Sequence, residues 1–256
     1  MTNLDYFALA LFCFSWFSFG LLTNGRISLP RPSLTKVMTV RRRIWIFNAL
    51  KRDLRMIDTQ IMAGLQNGTA FFASTSIIAL GGCFAMLGAT DRIDAVLRDL
   101  PMIGAAGRAA FEFKVCGLIV VLGYAFFKFG WSYRLFNYCT ILFGGLPMAE
   151  DARRNPIAAR RDAETVVQMN IIAAMSFNAG LRAIFMSIGY LGWFLNAYMF
   201  MLTTVFIFAV LLHRQFFSNA RLALMQQISQ GESDLTLPSH EKDAFEGSAK
   251  PPSTVM

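Results

Sequence analysis

Between Gly68 and Ala89 the chain runs for 22 residues without a charged side chain. As a helix, that length covers the roughly 30 Å hydrocarbon core of a bilayer. Similar apolar runs recur, and together they predict spans at about residues 4–22, 68–89, 111–134, 166–190 and 196–213. The third run stays apolar as far as Gly145, and Pro147 ends it. The helix carrying the fourth run has a marked start, with Asn155 as a good N-cap and Pro156 at the first helical position. Tyr190 and Trp193 mark an interfacial turn over Gly189–Asn196 before the last run. Four spans is the alternative, should 166–189 lie at the membrane surface. The pattern predicts an all-α fold, a polytopic membrane helix bundle with amphipathic surface helices. Residues 1–228 form its single domain, and the Ser- and Pro-rich stretch 229–256 reads as a disordered polar tail.

Ahead of the second span, Ile44, Phe47, Leu50, Leu54, Ile57, Ile61 and Leu65 recur at spacings of three and four. That is one apolar stripe, and it predicts an amphipathic helix over about 40–66. Arg41, Arg42, Arg52, Arg55 and Asp58 occupy its other faces. A basic amphipathic helix beside a span rests on an anionic lipid surface, which assigns Arg41, Arg42, Arg43, Lys51, Arg52 and Arg55 to lipid headgroups. The alternative is that the stripe packs on the protein's own helices. Thr90 is placed to cap a short surface helix from Asp91 to Leu100.

Composition supports the membrane reading. The chain is 55% hydrophobic and only 16% charged, against about 45–50% apolar in a soluble domain. The net charge of +8 is concentrated: nine of the 24 Lys and Arg fall in 23–67, with two acids. The segment 147–165 adds Arg153, Arg154, Arg160 and Arg161, whereas 90–111 balances Arg92, Arg98 and Arg108 against Asp91, Asp94 and Asp99. The positive-inside rule then puts 23–67 and 147–165 in the cytoplasm and the N-terminus outside, in a membrane expected to be bacterial and cytoplasmic. With five spans the C-terminus is inside. The basic excess reads as the flank of membrane helices facing anionic lipid, not as a nucleic-acid interface. No Lys or Arg precedes the first apolar run and no A-x-A site follows it, so it reads as a retained span.

Chemistry is sparse. Cys13, Cys83, Cys116 and Cys139 lie in apolar runs without CxxC spacing or a neighbouring His, and read as buried small hydrophobes. No nucleophile elbow, zinc-protease, Walker or dinucleotide motif occurs, so no catalytic residue, metal or cofactor is expected. Gly64 and Gly68 match GxxxG but at a polar junction, which is a weak signal. What stands out is polarity inside the spans: Glu112, Lys114, Lys128, Arg134, Asn137, Asn170, Asn178 and Arg182. An arginine near the bilayer centre costs about 2.5–3.5 kcal/mol on insertion scales. Arg182, expected in the outer half of span four, needs a partner; Glu112 is the first choice and Asp5 the second. A structural ion pair, a ligand site and snorkelling all remain open for it. Lys128 and Arg134 lie among Phe126, Phe127, Phe129, Trp131 and Tyr133. That is a snorkelling aromatic belt or, alternatively, a basic site for lipid phosphate or a permeating anion.

Three blocks carry a resemblance: Arg52, Asp53, Arg55 and Asp58; Asn67 to Thr75 (NGTAFFAST); and Phe126 to Tyr138 (FFKFGWSYRLFNY). With FNAGLRAIF around Arg182, they resemble the domain of unknown function 599 family, multi-pass membrane proteins of bacteria and plants, over roughly residues 4–220. The resemblance implies a membrane protein and names no reaction. Two function classes follow from the residues. The first is a small homo-oligomeric channel or carrier for anionic solutes, with Arg182, Glu112, Asn178, Lys128, Arg134 and Asn137 as its intramembrane polar site. The second is a non-transporting scaffold or accessory subunit. In a cysteine-free background, cysteines placed at positions 41 and 55 should resist an impermeant maleimide in sealed cells and react after lysis. Labelling in sealed cells would invert the topology.

Overall fold

A helix that crosses lipid satisfies its backbone polar groups internally, so length and apolarity decide which segments can cross. The computed structural model describes residues 1–23, 32–90 and 107–225. The helix expected over 91–100 and the tail 229–256 lie outside them. Within the described residues the helices include, in order, α1 Asn3–Thr23, α2 Leu34–Ala49, α3 Met56–Gly88, α4 Arg108–Gly144, α5 Ala149–Arg154, α6 Pro156–Tyr190, α7 Gly192–Leu195 and α8 Ala197–Phe216. Five of them, α1, α3, α4, α6 and α8, are long and apolar enough to cross a membrane. Large apolar side chains such as Phe14, Phe17, Phe71, Ile78, Phe127 and Phe206 point outward from these helices. A contiguous apolar exterior of this kind is what lipid contact requires.

The helices differ in length, and that shapes the molecule. At 1.5 Å per residue α1 is about 31 Å long, whereas α3, α4 and α6 reach about 50–55 Å. The surplus of the long helices projects at one end, where it meets α2 and α5. The arginines of 41–55 and 153–161 make that the basic end of the molecule. The opposite end carries Asp5 and Trp193.

The two largest hydrophobic clusters correspond to the two parts. The membrane core gathers Phe12 of α1, Val115, Leu118 and Leu122 of α4, Tyr190 and Trp193 at the end of α6 and in α7, and Phe200 of α8. Trp193 stacks on Phe200 with centroids 4.9 Å apart, and Phe12 meets the edge of Tyr190 at 5.5 Å. The basic-end core joins Ile46, Ala49, Leu50, Met62, Cys139, Phe143, Ala159, Ala163, Val166 and Val167. α4 lies between α3 and α6 and packs along both. Small residues make this approach possible. A Cβ on Gly180 would stand 2.7 Å from the Phe129 ring, and one on Gly117 would stand 2.0 Å from the Tyr190 hydroxyl.

Local signals in the sequence explain several boundaries. The Asn155 side chain accepts from Ala158 N at 3.3 Å with Pro156 at N1, as expected. In the turn after α6, Asn196 caps α8 by accepting from Met199 N at 2.8 Å. Gly192 is required there, because a Cβ would stand 2.4 Å from Thr203 Oγ1.

The amphipathic helix expected over 40–66 is corrected. Its first half belongs to α2, the chain breaks at 50–55, and its second half opens α3, which continues unbroken into the second span. The break turns the chain, so the apolar positions do not share one face. Leu50 is buried, whereas Leu54 and Ile57 are 80% and 73% exposed and α3 buries Asp58 and Met62 instead. Cys83 and Cys139 are buried as expected, but Cys13 and Cys116 face outward from the apolar helices.

Gly180→Ala should lower stability in detergent by about 1–3 kcal/mol through overpacking against Phe129. Gly64→Ala, where a Cβ meets nothing within 4 Å, should be neutral or stabilising by up to about 1 kcal/mol. Thermal melts followed by size exclusion distinguish the two.

Candidate functional site

Polar side chains within an apolar bundle need partners, and tracing those partners divides structural from unassigned groups. At the Asp5 end the polar groups close on one another. Lys114, buried, donates from Nζ to the Trp193 carbonyl at 2.7 Å. The Trp193 indole N–H donates to Asp5 Oδ1 at 2.9 Å, and the Tyr190 hydroxyl donates to the Lys114 carbonyl at 3.0 Å. This clasp ties α1, α4 and α7 together.

At the basic end, Asp58 is fully buried and accepts from Trp45 Nε1 at 2.7 Å and from Arg52 Nη1 at 2.6 Å. Arg55 spans the break between α2 and α3. It donates to the carbonyls of Ala49, Leu146 and Pro147 at 3.3, 2.9 and 2.5 Å, pinning the break to the end of α4. Arg43 pairs with Glu164. Lys51 lines a broad groove of about 1000 Å³ with Arg153, Arg160 and Arg161. The six cations expected to meet lipid headgroups therefore do not form one surface. Arg52 and Arg55 hold the fold, Arg43 is in an ion pair, and Arg41 donates to the Leu224 carbonyl at 3.4 Å. Arg41, Arg42 and Arg43 are consecutive on α2 and so point about 100° apart, and the chain break turns Lys51, Arg52 and Arg55 away from that helix.

Several expected intramembrane groups are also absorbed by local contacts. Gln66 donates to Asn137 Oδ1 at 2.7 Å, between α3 and α4. Arg134 donates from Nε to the Tyr138 hydroxyl at 2.6 Å, and Lys128 lies 5.4 Å from the Tyr124 ring centroid. Glu112 pairs with Arg108 one turn away at 2.8 Å. The expected Glu112–Arg182 pair is thus corrected, and Asp5, the second choice, is held by Trp193 and Thr2.

The depth of Arg182 is corrected as well. Its guanidinium packs over Phe19 at 5.7 Å and donates from Nη1 to Thr23 Oγ1 at 3.4 Å, at the end of α1 remote from Asp5. Helical side chains lean toward their own N-terminus. The N-terminus of α6 is at the basic end, so the long side chain carries its charge that way. Tyr124 also neighbours the group, while its Nε, buried, has no hydrogen-bond acceptor.

Arg182 is not alone. It lines a cavity of about 390 Å³ enclosed by α1, α2, α6 and α8, together with Arg42, Arg214, Asn178, Thr39 and Gln215. No carboxylate is among the described residues that line it. Arg42 reaches Asn170 Oδ1, a neutral acceptor, and burial pushes its guanidinium below the usual arginine range. Arg214 lies 5.3 Å over the Phe185 ring and has no ion pair among the described residues. Of the expected site residues, the structure brings Arg182 and Asn178 together and adds Arg42; it leaves Glu112, Lys128, Arg134 and Asn137 elsewhere. Arg214 directly follows the last apolar run in the sequence, but nothing in the spacing of 42, 182 and 214 announces their convergence.

The chain belongs to the family described as "Protein of unknown function, DUF599", whose model matches residues 7–220. No curated protein and no solved structure matches it.

Asp58→Ala should lower stability by about 1.5–3 kcal/mol, since it removes two bonds to a buried carboxylate. Glu112→Ala, at a half-exposed i,i+4 pair, should cost less than about 0.5 kcal/mol. A large loss at Glu112 would reinstate it as a partner of a buried cation.

Proposed function

We propose that this is a multi-pass protein of the bacterial cytoplasmic membrane, with its N-terminus outside and its basic end in the cytoplasm, and that it binds an anionic solute as a carrier. The observation that supports this most is the cavity holding Arg42, Arg182 and Arg214 without a described carboxylate. Guanidinium groups are fully charged and offer planar donor pairs to carboxylate or phosphate. Three of them around one cavity repel each other, and an anion between them relieves that repulsion. The cavity lies at the basic end of α1 and α8, on the side proposed to be cytoplasmic. No enzymatic role is proposed.

A carrier fits this geometry better than an open channel. Beyond Arg182, the path toward the Asp5 end meets Phe12, Tyr190, Trp193 and Phe200, a packed aromatic layer. An ion could pass only if that layer parted. The same layer favours a second reading, a non-transporting scaffold in which the bound anion is structural. An oligomer would use the outward apolar faces in either case.

In detergent, inorganic phosphate or sulfate should raise the melting temperature of the protein above that in sodium chloride of equal ionic strength. The shift should be about 2–4 °C per kcal/mol of binding free energy, and Arg182→Gln should abolish it. In liposomes the wild type should pass anions faster than protein-free vesicles. A melting shift with no flux leaves the scaffold; no shift and no flux rejects the anion site.

A further inference from the structure

Arg182 faces two spaces. One is the arginine cavity; the other is an apolar groove of about 490 Å³ between α1 and α4, lined by Phe12, Cys13, Trp16, Gly20, Val121 and Tyr124. Among the described residues, Arg182 is the one cation lining this second space. The mouth of the groove lies on the lipid-facing side, where Phe17 and Val120 are 70% and 71% exposed. Gly20 lies at the junction, its Cα side facing the Arg182 guanidinium, which a Cβ there would meet at an ordinary contact distance of 3.8 Å. From Gly20 the groove follows α1 to Phe12, eight residues or about 12 Å.

A small hydrated anion uses only the first space. The groove offers it nothing, because apolar walls do not replace its water. A molecule with an anionic head and an acyl chain uses both, the head beside Arg182 and the chain along the groove with the surrounding hydrocarbon. Resting on the anion site proposed above, we infer that the ligand is an amphiphile with a phosphate head, entering sideways from the lipid through the α1–α4 groove. Arg182 binds the phosphate bidentately where the groove and the arginine cavity meet. The Tyr124 hydroxyl, which neighbours the guanidinium, lies on the groove side of that junction.

The test is native mass spectrometry and thermal melting of the full chain in detergent, with phosphatidic acid, phosphatidylcholine, glycerol 3-phosphate and inorganic phosphate as probes. Phosphatidic acid should bind the wild type at least tenfold more tightly than glycerol 3-phosphate or phosphatidylcholine. Cys13→Phe and Val120→Phe fill the groove, and both positions are exposed, so that the variants keep the core intact. Both should lose that preference at least tenfold while keeping the melting shift with inorganic phosphate. Arg182→Gln should lose both responses. If inorganic phosphate shifts the melt but phosphatidic acid has no advantage, or if both groove variants bind it like wild type, the amphiphile is overturned and the anion site stands. If neither phosphate nor phosphatidic acid acts through Arg182, both readings fall together.

Discussion

Hydrocarbon offers no partner to a backbone N–H or C=O, so a chain can cross it only as continuous helix. Here that constraint meets helices of unequal length. α1 is about as long as the hydrocarbon core is thick, and α3, α4 and α6 exceed it by about 20 Å. The surplus must bury its own apolar side chains, and it does so with α2 and α5 in a second core. The buried Asp58 and the three carbonyls gathered by Arg55 belong to that core. They are the kind of partnership a water-facing helical domain uses, and they explain why the basic segment folds back on the protein instead of spreading over a lipid surface.

The two-part construction also sets where the arginines of the cavity come from. Arg182 and Arg214 descend from spanning helices, whereas Arg42 comes from α2, the helix recruited by the overhang. The cavity lies where the thin part of the bundle, α1 and α8, ends and the overhang begins. A cation there is close enough to water to stay charged and close enough to hydrocarbon to value a fixed anion. The Lys114–Trp193–Asp5 clasp at the other end is the opposite case: a cation whose neighbours are a carbonyl and a carboxylate, with no space left beside it.

Much of the fold was legible because it rests on local rules. Apolar run length gave the spans, Asn155–Pro156 gave the start of α6, and Pro147 gave the end of α4. The break at 50–55 was not legible, because the apolar residues on either side keep helical spacing across it; what breaks the helix is tertiary, the demand of three carbonyls for Arg55. Partners were harder still. Glu112 looked available to Arg182 only while Arg108, one turn away, was counted with the loop. Lys114 was visible as a polar residue within a span, but its acceptor, a carbonyl at Trp193, carries no sequence signal. Convergence of 42, 182 and 214 is a property of helix packing, and a single sequence does not encode it in any pattern of spacing.

The aromatic layer and the arginine cavity constrain each other. Phe12, Tyr190, Trp193 and Phe200 pack in edge and stacked geometry that adds about 0.5–1.5 kcal/mol per pair beyond burial. Opening that layer to pass an ion would forfeit several such contacts and break the Tyr190–Lys114 bond. A solute held by Arg182 therefore has an easier exit sideways, between α1 and α4, where an apolar groove already opens toward lipid, than straight through the bundle. The direction of least packing leads into lipid, and this favours a ligand that is itself at home there over one that must remain in water on both sides.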